Sequence, residues 1–258
     1  MSQPEQNKTN IYFIRHGEAF SNVHPIIAGK KGDQGLTELG VRQAQALHDR
    51  IADTGEIKPD VFIASPLTRA RQTAEIISPA IQAPIQFNWD VEELRPGVAD
   101  GMSVQEFHEK YGLPHFRENP FQPFAPEGEN WPGFIMRVAE ALNTIILEHP
   151  HKTILIVCHG GVIDASMIIF SRMHSVLFPP MVFATANTSI THWQSVGDQS
   201  SGILGTWRLM RYNDTAHLAK IGINDHVSWA KSIADTQKEQ KDEHLSLPLP
   251  TEEESDTN

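Results

Sequence analysis

Residues 11–22 read IYFIRHGEAFSN. The apolar run Ile11–Ile14 has the length of a short strand, and it ends on Arg15, His16 and Gly17. A strand buried well enough to read IYFI carries the charge of Arg15 to the rim of a core, where an unmatched charge is costly. The run therefore predicts an anion at the strand's carboxyl end. Residues 153–160, TILIVCHG, repeat the arrangement and end on His159 and Gly160. In open α/β sheets ligands bind beyond the carboxyl ends of the strands, which places both histidines at a candidate site.

Working outward, DVFIAS at 60–65 reads as another strand. Ser65 and Pro66 then offer an N-cap and a first-turn proline for a helix through Ile77, with Arg69 in its first turn. LTELGVRQAQALHDRIADTG reads as a helix capped by Thr37 and stopped by Gly55, with Leu39, Ala46, Leu47 and Ile51 at helical spacing. PIQFNW is a weaker strand. The stretch from Trp131 is a long helix whose buried face holds Trp131, Phe134, Val138, Leu142 and Ile145, and GGVIDASMIIF is the helix after His159. TSITHW and GTWRLMRYN close the pattern as two more strands. Strands alternating with helices predict a layered α/β fold. Residues 96–133 interrupt it with mixed proline, glycine and aromatics, and read as an irregular insertion holding one short helix near SVQEFHEKYG. A long irregular stretch inside a domain usually serves function.

Composition narrows the classes. The chain has 258 residues and a formal charge of −11, which argues against nucleic acid as a partner. Residues 224–258 alone carry −6 of that charge. Residues 221–258 are therefore expected to be an acidic, disordered tail, residues 1–9 a disordered start, and 10–220 the folded domain. One cysteine, Cys158, fits a reducing compartment. The absence of an apolar stretch of membrane length, with the polar start MSQPEQNKTN, leads us to expect a cytoplasmic protein without a membrane partner. Thirteen histidines raise the question of metal, but neither His149/His151 nor His108/His115 has carboxylate or cysteine partners at ligand spacing. No metal and no cofactor are expected. The composition leaves the oligomeric state open.

Taken together and in order, RHGEAFSN, GLTELGVRQAQAL, SPLTRARQTAEI, VCHGGVI, ANTSITHW and WRLMRYNDTAHL resemble the signature blocks of the histidine phosphatase superfamily, the phosphoglycerate-mutase-like fold, in its main branch. The resemblance covers roughly residues 10–215. It implies a three-layer α/β/α sandwich with a mostly parallel central sheet, and gives residues 96–133 the role of an inserted cap. It implies that His16 is the nucleophile that accepts a phosphoryl group, and that Arg15, Arg69 and His159 hold that group with Asn22 nearby. Gly29, in the loop GKKGDQG, would approach the substrate, and Gly160 would open a helix whose free amides face it. The residue types suit the task. A phosphate monoester is close to a dianion at neutral pH, guanidinium forks bind its oxygens bidentately, and helix amides add partial positive charge.

The family also uses a carboxylic acid that protonates the leaving group. The alignment of DVEELRPG points to Glu93, with Glu92 as the rival and a solvated acidic turn as the plain alternative. The text after it keeps only a final glycine of the usual pattern. Three functions follow: a phosphatase that acts on a small phosphorylated metabolite, a phosphoglycerate-mutase-type phosphotransferase, and a non-catalytic module that binds phosphorylated ligands. The asparagine-glutamate-arginine-histidine-tyrosine run of true mutases is missing, which favours the phosphatase.

Overall fold

A computed structural model describes residues 8–112, 116–179, 181, 183–197 and 201–223. Along the chain come β1 (Asn10–Arg15), the single-turn α1 (Phe20–Val23), α2 (Glu38–Thr54), β2 (Val61–Ala64), α3 (Thr68–Ile77) and β3 (Ile85–Phe87). They are followed by α4 (Val104–Tyr111), α5 (Trp131–Glu148), β4 (Thr153–Cys158), α6 (Gly160–Phe170), β5 (Ile190–Val196), β6 (Thr206–Asp214) and the short α7 (Ala216–Ala219). The strands form one six-stranded sheet in the order β3-β2-β4-β1-β5-β6. The first four run parallel, and β5 and β6 are antiparallel additions at one edge.

Side-chain alternation along the strands builds the two outer layers. Ile11 and Phe13 of β1, with Ile154, Ile156 and Cys158 of β4, face the apolar sides of α5 and α6. Ile14, Leu155 and Val157 point the other way, to Leu47 and Ile51 of α2 and to Ala70, Ala74 and Ile77 of α3. Each fully buried Leu, Ile or Phe contributes roughly 1.5–3 kcal/mol. The result is the three-layer α/β/α sandwich, with a mostly parallel sheet.

The helix ends follow local chemistry. Thr37 Oγ1 accepts the Gly40 amide at 3.0 Å, and Gly55 ends α2 with φ of 60°. Asn130 Oδ1 accepts the Gly133 amide at 2.8 Å and starts α5, so residues 131–133 belong to that helix and not to the insertion. The short helix expected in the insertion is α4, capped by Ser103. It sits on a small apolar cluster of Ala99, Phe107 and Ala125, with Ile27, Met102 and Phe124 packed alongside.

Two expectations at the ends need correction. Thr9 belongs to the folded domain: it is fully buried, its amide donates to Ser195 Oγ at 2.8 Å, and its Oγ1 accepts the His151 amide at 2.9 Å. At the other end hydrogen-bonded structure runs on past residue 220, where the Ile223 amide donates to the Leu218 carbonyl at 3.1 Å. The rest of the expected acidic tail lies outside the described residues.

Candidate active site

Register brings the strand ends together. Arg15 of β1 pairs with Cys158 of β4, and Ala64 of β2 pairs with Val157 on the other side of β4. The residues just beyond, His16, Ser65 and His159, therefore emerge side by side at the carboxyl edge of the sheet. The β1 end is held from several elements. The Gly17 amide donates to Thr73 Oγ1 of α3 at 3.0 Å, the Glu18 amide to Gln43 Oε1 of α2 at 2.8 Å, and Asn187 Nδ2 to the His16 carbonyl at 3.0 Å. A Cβ on Gly17 would sit 2.6 Å from the Gly40 carbonyl oxygen, so only glycine lets this loop lie against α2.

His16, Arg15, Arg69 and His159 are all buried. The His16 and His159 rings are 5.3 Å apart between centroids. His16 Nδ1 lies 2.7 Å from the Gly17 carbonyl, which obliges that nitrogen to carry the proton. The other nitrogen, Nε2, keeps its lone pair and accepts Arg69 Nε–H at 3.2 Å. Burial, then Arg69 and Arg15, hold the His16 imidazole well below the ordinary histidine value, so the nucleophilic neutral form prevails at pH 7. Burial first, then Arg69, does the same to His159.

Arg69 is held by a carboxylate. Asp33 Oδ2 accepts both Arg69 Nη1 at 3.0 Å and the Arg69 amide at 3.2 Å, with the side chains only 4% and 1% exposed. Arg15 donates Nη1 to the Thr185 carbonyl, while its Nε is buried without a partner among the described residues. Burial lowers the Arg15 guanidinium to about 10, still fully charged at neutral pH. The site thus combines two fixed cations, one imidazole lone pair and a second buried imidazole. That set suits a dianionic group.

Two acids stand at different places beside it. Glu93 Oε2 accepts the Gly161 amide at 3.0 Å at the N-terminus of α6, and Oε1 accepts the Leu94 amide at 3.0 Å. A Cβ on Gly161 would lie 2.2 Å from Glu93 Oε1, so glycine there makes room for the carboxylate. Glu92 turns away and accepts Arg95 Nε at 3.1 Å. Arg137 of α5 braces the turn, donating to the carbonyls of Asp90, Glu92 and Glu93 and, through Nε at 2.6 Å, to Glu129. Beyond Glu93 opens a pocket of about 370 Å³ lined in part by Gly29, Lys30, Trp89, Glu92 and Arg95.

The profile of the histidine phosphatase superfamily, branch 1, matches residues 11–215. The chain belongs to that superfamily. A metal-independent phosphoserine phosphatase of Arabidopsis thaliana is 26% identical over 223 residues, covering 84% of this chain and 87% of its own. A protein named probable phosphoglycerate mutase GpmB, from Proteus mirabilis, is 28% identical over 218 residues, covering 83% and 97%. The solved structure of Bacillus stearothermophilus YhfR superposes with a TM-score of 0.68 at 28% identity, covering 81% of this chain and 99% of that one.

In this histidine phosphatase the expected residues fall into two groups. His16, Arg15, Arg69, His159 and Glu93 converge at the sheet edge, and Gly160 opens α6 beside Arg15. Asn22 and Gly29 stand differently. Asn22 Oδ1 accepts the Ala19 amide at 2.9 Å and Asn187 Nδ2 at 3.3 Å, which makes it a brace of the loop after His16. The Gly29 amide is engaged by Asp100 Oδ1 at 2.8 Å, and Asp100 also takes the amides of Lys31 and Gly32. Gly29 lines the pocket but offers no amide to an anion. Ser65 is not an N-cap: α3 starts at Thr68, and the Ser65 hydroxyl lies 2.8 Å from His159 Nε2.

Asp33, Ser65, Arg137 and Asp164 escaped the sequence reading. Asp164 lies one turn into α6, with Oδ1 buried and unpartnered among the described residues. Burial, then the Glu93 carboxylate, push it well above the usual carboxylate range against the opposing pull of Arg15. Cys158 is fully buried, and burial pushes its thiol far up, which makes it inert at neutral pH. Among the described residues no group of three or more His, Cys, Asp or Glu is arranged to hold a metal ion, and no helix is long and apolar enough to cross a membrane.

Proposed function

We propose that this chain hydrolyses small phosphomonoesters through a phosphohistidine at His16. The observation that carries the reading is the buried His16 Nε2 lone pair, held 3.2 Å from Arg69 Nε with its proton committed to Nδ1. In the first step Nε2 forms a bond to phosphorus as the ester P–O bond breaks, and Glu93 gives its proton to the departing alkoxide. In the second, water attacks phosphorus, its proton returns to the Glu93 carboxylate, and the N–P bond breaks to release phosphate. Arg15, Arg69 and His159 hold the three oxygens whose charge is shared in the transition state. Glu93 is preferred to Glu92 because it stands at the α6 N-terminus, whereas Glu92 is tied to Arg95. We place the reaction in the cytoplasm, on the composition of the chain.

A mutase is the second reading, favoured by the likeness to GpmB. A mutase must keep its substrate while the phosphoryl group changes position, and a substrate with further negative charge needs cations beyond Glu93. The pocket there sets Lys30 and Arg95 against Glu92, Asp100 and Glu127. That balance gives a second anion no net attraction, and supports hydrolysis. The test is phosphate release from a panel of phosphomonoesters in excess chelator. Free phosphate should appear, at a rate the chelator leaves within about twofold, because guanidinium and imidazole groups supply the electrostatic stabilisation. Loss of turnover that a divalent ion restores would contradict this account. Binding without turnover would instead establish the non-catalytic module.

A further inference from the structure

The two imidazoles of the site are oriented by different devices. His16 is fixed by a main-chain carbonyl, which no side-chain substitution removes. His159 has its Nε2 2.8 Å from Ser65 Oγ, and its Nδ1 is buried without a partner among the described residues. Ser65 is fully buried, and its amide donates to the Val157 carbonyl at 2.9 Å, which locks the end of β2 to β4. Its Oγ also accepts the Leu67 amide at 3.4 Å. A hydroxyl has one proton and two lone pairs. With the Leu67 N–H on one lone pair, His159 Nε2 is the acceptor for the hydroxyl proton among the described residues, and an Nε2–H would leave that buried proton without a partner among them.

We propose that Ser65 is a positioning residue that holds His159 as the Nδ1–H tautomer, so that the imidazole presents a donor to a phosphoryl oxygen. This rests on the reading of His159 as a phosphoryl ligand. A neutral imidazole has a single N–H, and the hydroxyl proton directed at Nε2 forces it onto Nδ1. The opposite tautomer would turn a lone pair toward an anionic oxygen and repel it. The two histidines then play complementary parts: His16 offers a lone pair to phosphorus, His159 a proton to oxygen. Tautomer control matters only while His159 is neutral, and burial with Arg69, His16 and Arg15 nearby keeps it neutral well below the ordinary histidine value. Once the ring is protonated, both nitrogens donate and Ser65 becomes dispensable for this purpose.

The direct test is nitrogen-15 NMR of histidine-labelled protein, with His159 assigned by its loss in His159→Gln. Nδ1 should be protonated and Nε2 bare, in the free chain and with inorganic phosphate or vanadate bound. A protonated Nε2 with bare Nδ1 would overturn the proposal, and this measurement stands even if no Ser65 variant folds. In Ser65→Ala, kcat/KM for nitrophenyl phosphate should fall by about tenfold, less than the 10²–10³ of a donor removed outright, because part of the population keeps the useful tautomer. The nitrogen-15 spectrum of Ser65→Ala should show His159 divided between its two tautomers. A spectrum in which His159 stays wholly in the Nδ1–H form would mean that Ser65 only fills space. If His159→Gln leaves turnover intact, the reading of His159 as a ligand fails, while the tautomer result is untouched.

Discussion

Arg69→Ala is expected to lower kcat/KM for every phosphomonoester by about a thousandfold, the cost of losing one preorganised charge at a developing oxyanion. The variant loses two things at once: a charge on the transferring group, and the Nε–H that points His16 Nε2 into the site at 3.2 Å. It should also be less stable. Asp33 is 1% exposed in its side chain and loses its only buried ionic partner among the described residues. Breaking a buried pair from one side costs about 3–5 kcal/mol, which in a domain of this size is a fall in Tm on the order of ten degrees. The two losses are separable. Adding Asp33→Asn to Arg69→Ala removes the stranded charge and should return much of the stability and none of the activity. Measuring kcat/KM and Tm on the single and double variants checks both. Activity within tenfold of wild type in Arg69→Ala would show that the phosphoryl group binds elsewhere.

Glu93→Gln is expected to slow hydrolysis of an alkyl phosphate by roughly 100-fold, within the range for general acid catalysis. An alkoxide cannot leave without a proton, whereas a nitrophenolate can, so the same variant should lose far less with nitrophenyl phosphate. Glutamine keeps one oxygen to accept the Gly161 amide but loses the acceptor that the Leu94 amide uses, so Tm is measured beside kcat/KM; a structural effect would slow both substrates alike, and a lost proton only the alkyl phosphate. Glu92→Gln should leave the leaving-group dependence untouched, since Glu92 spends its charge on Arg95. The comparison is kcat/KM for two substrates on three proteins. A leaving-group-dependent loss in Glu92→Gln alone would reverse the assignment of the two acids. Silence in both would place the donor on another residue.

The middle of the sheet was legible because β1, β2 and β4 are buried on both faces over most of their length and so read as apolar runs, whereas the edge strands β3 and β6 are largely exposed and read more weakly. The carboxyl edge of the sheet was legible because Arg15, His16 and His159 sit where such runs stop, and Arg69 follows a strand by a few residues. What escaped is what depends on contact between distant segments. Asp33 lies in GKKGDQG, a loop without periodicity, and reaches Arg69 across 36 positions of sequence. Ser65 carries a strong local signal for an N-cap, and a tertiary partner, His159, takes the hydroxyl instead. Arg137 hides in a helix chosen for its apolar face, and its grip on the Glu92–Glu93 turn spans more than 40 positions. Thr9 reads as part of a polar, disordered start because its partners, Ser195 and His151, are far along the chain. The Asn22 brace and the engaged Gly29 amide show the converse: a motif position predicts proximity to a site without telling which atoms face it.

The central claim is that His16 carries the phosphoryl group. Rapid acid-free denaturation during turnover of phosphorus-labelled substrate, followed by peptide mapping, tests it most directly. The account predicts label on the peptide containing His16, stable in base and lost in acid, and none in His16→Ala. Label on a serine, or label that survives in His16→Ala, would contradict it.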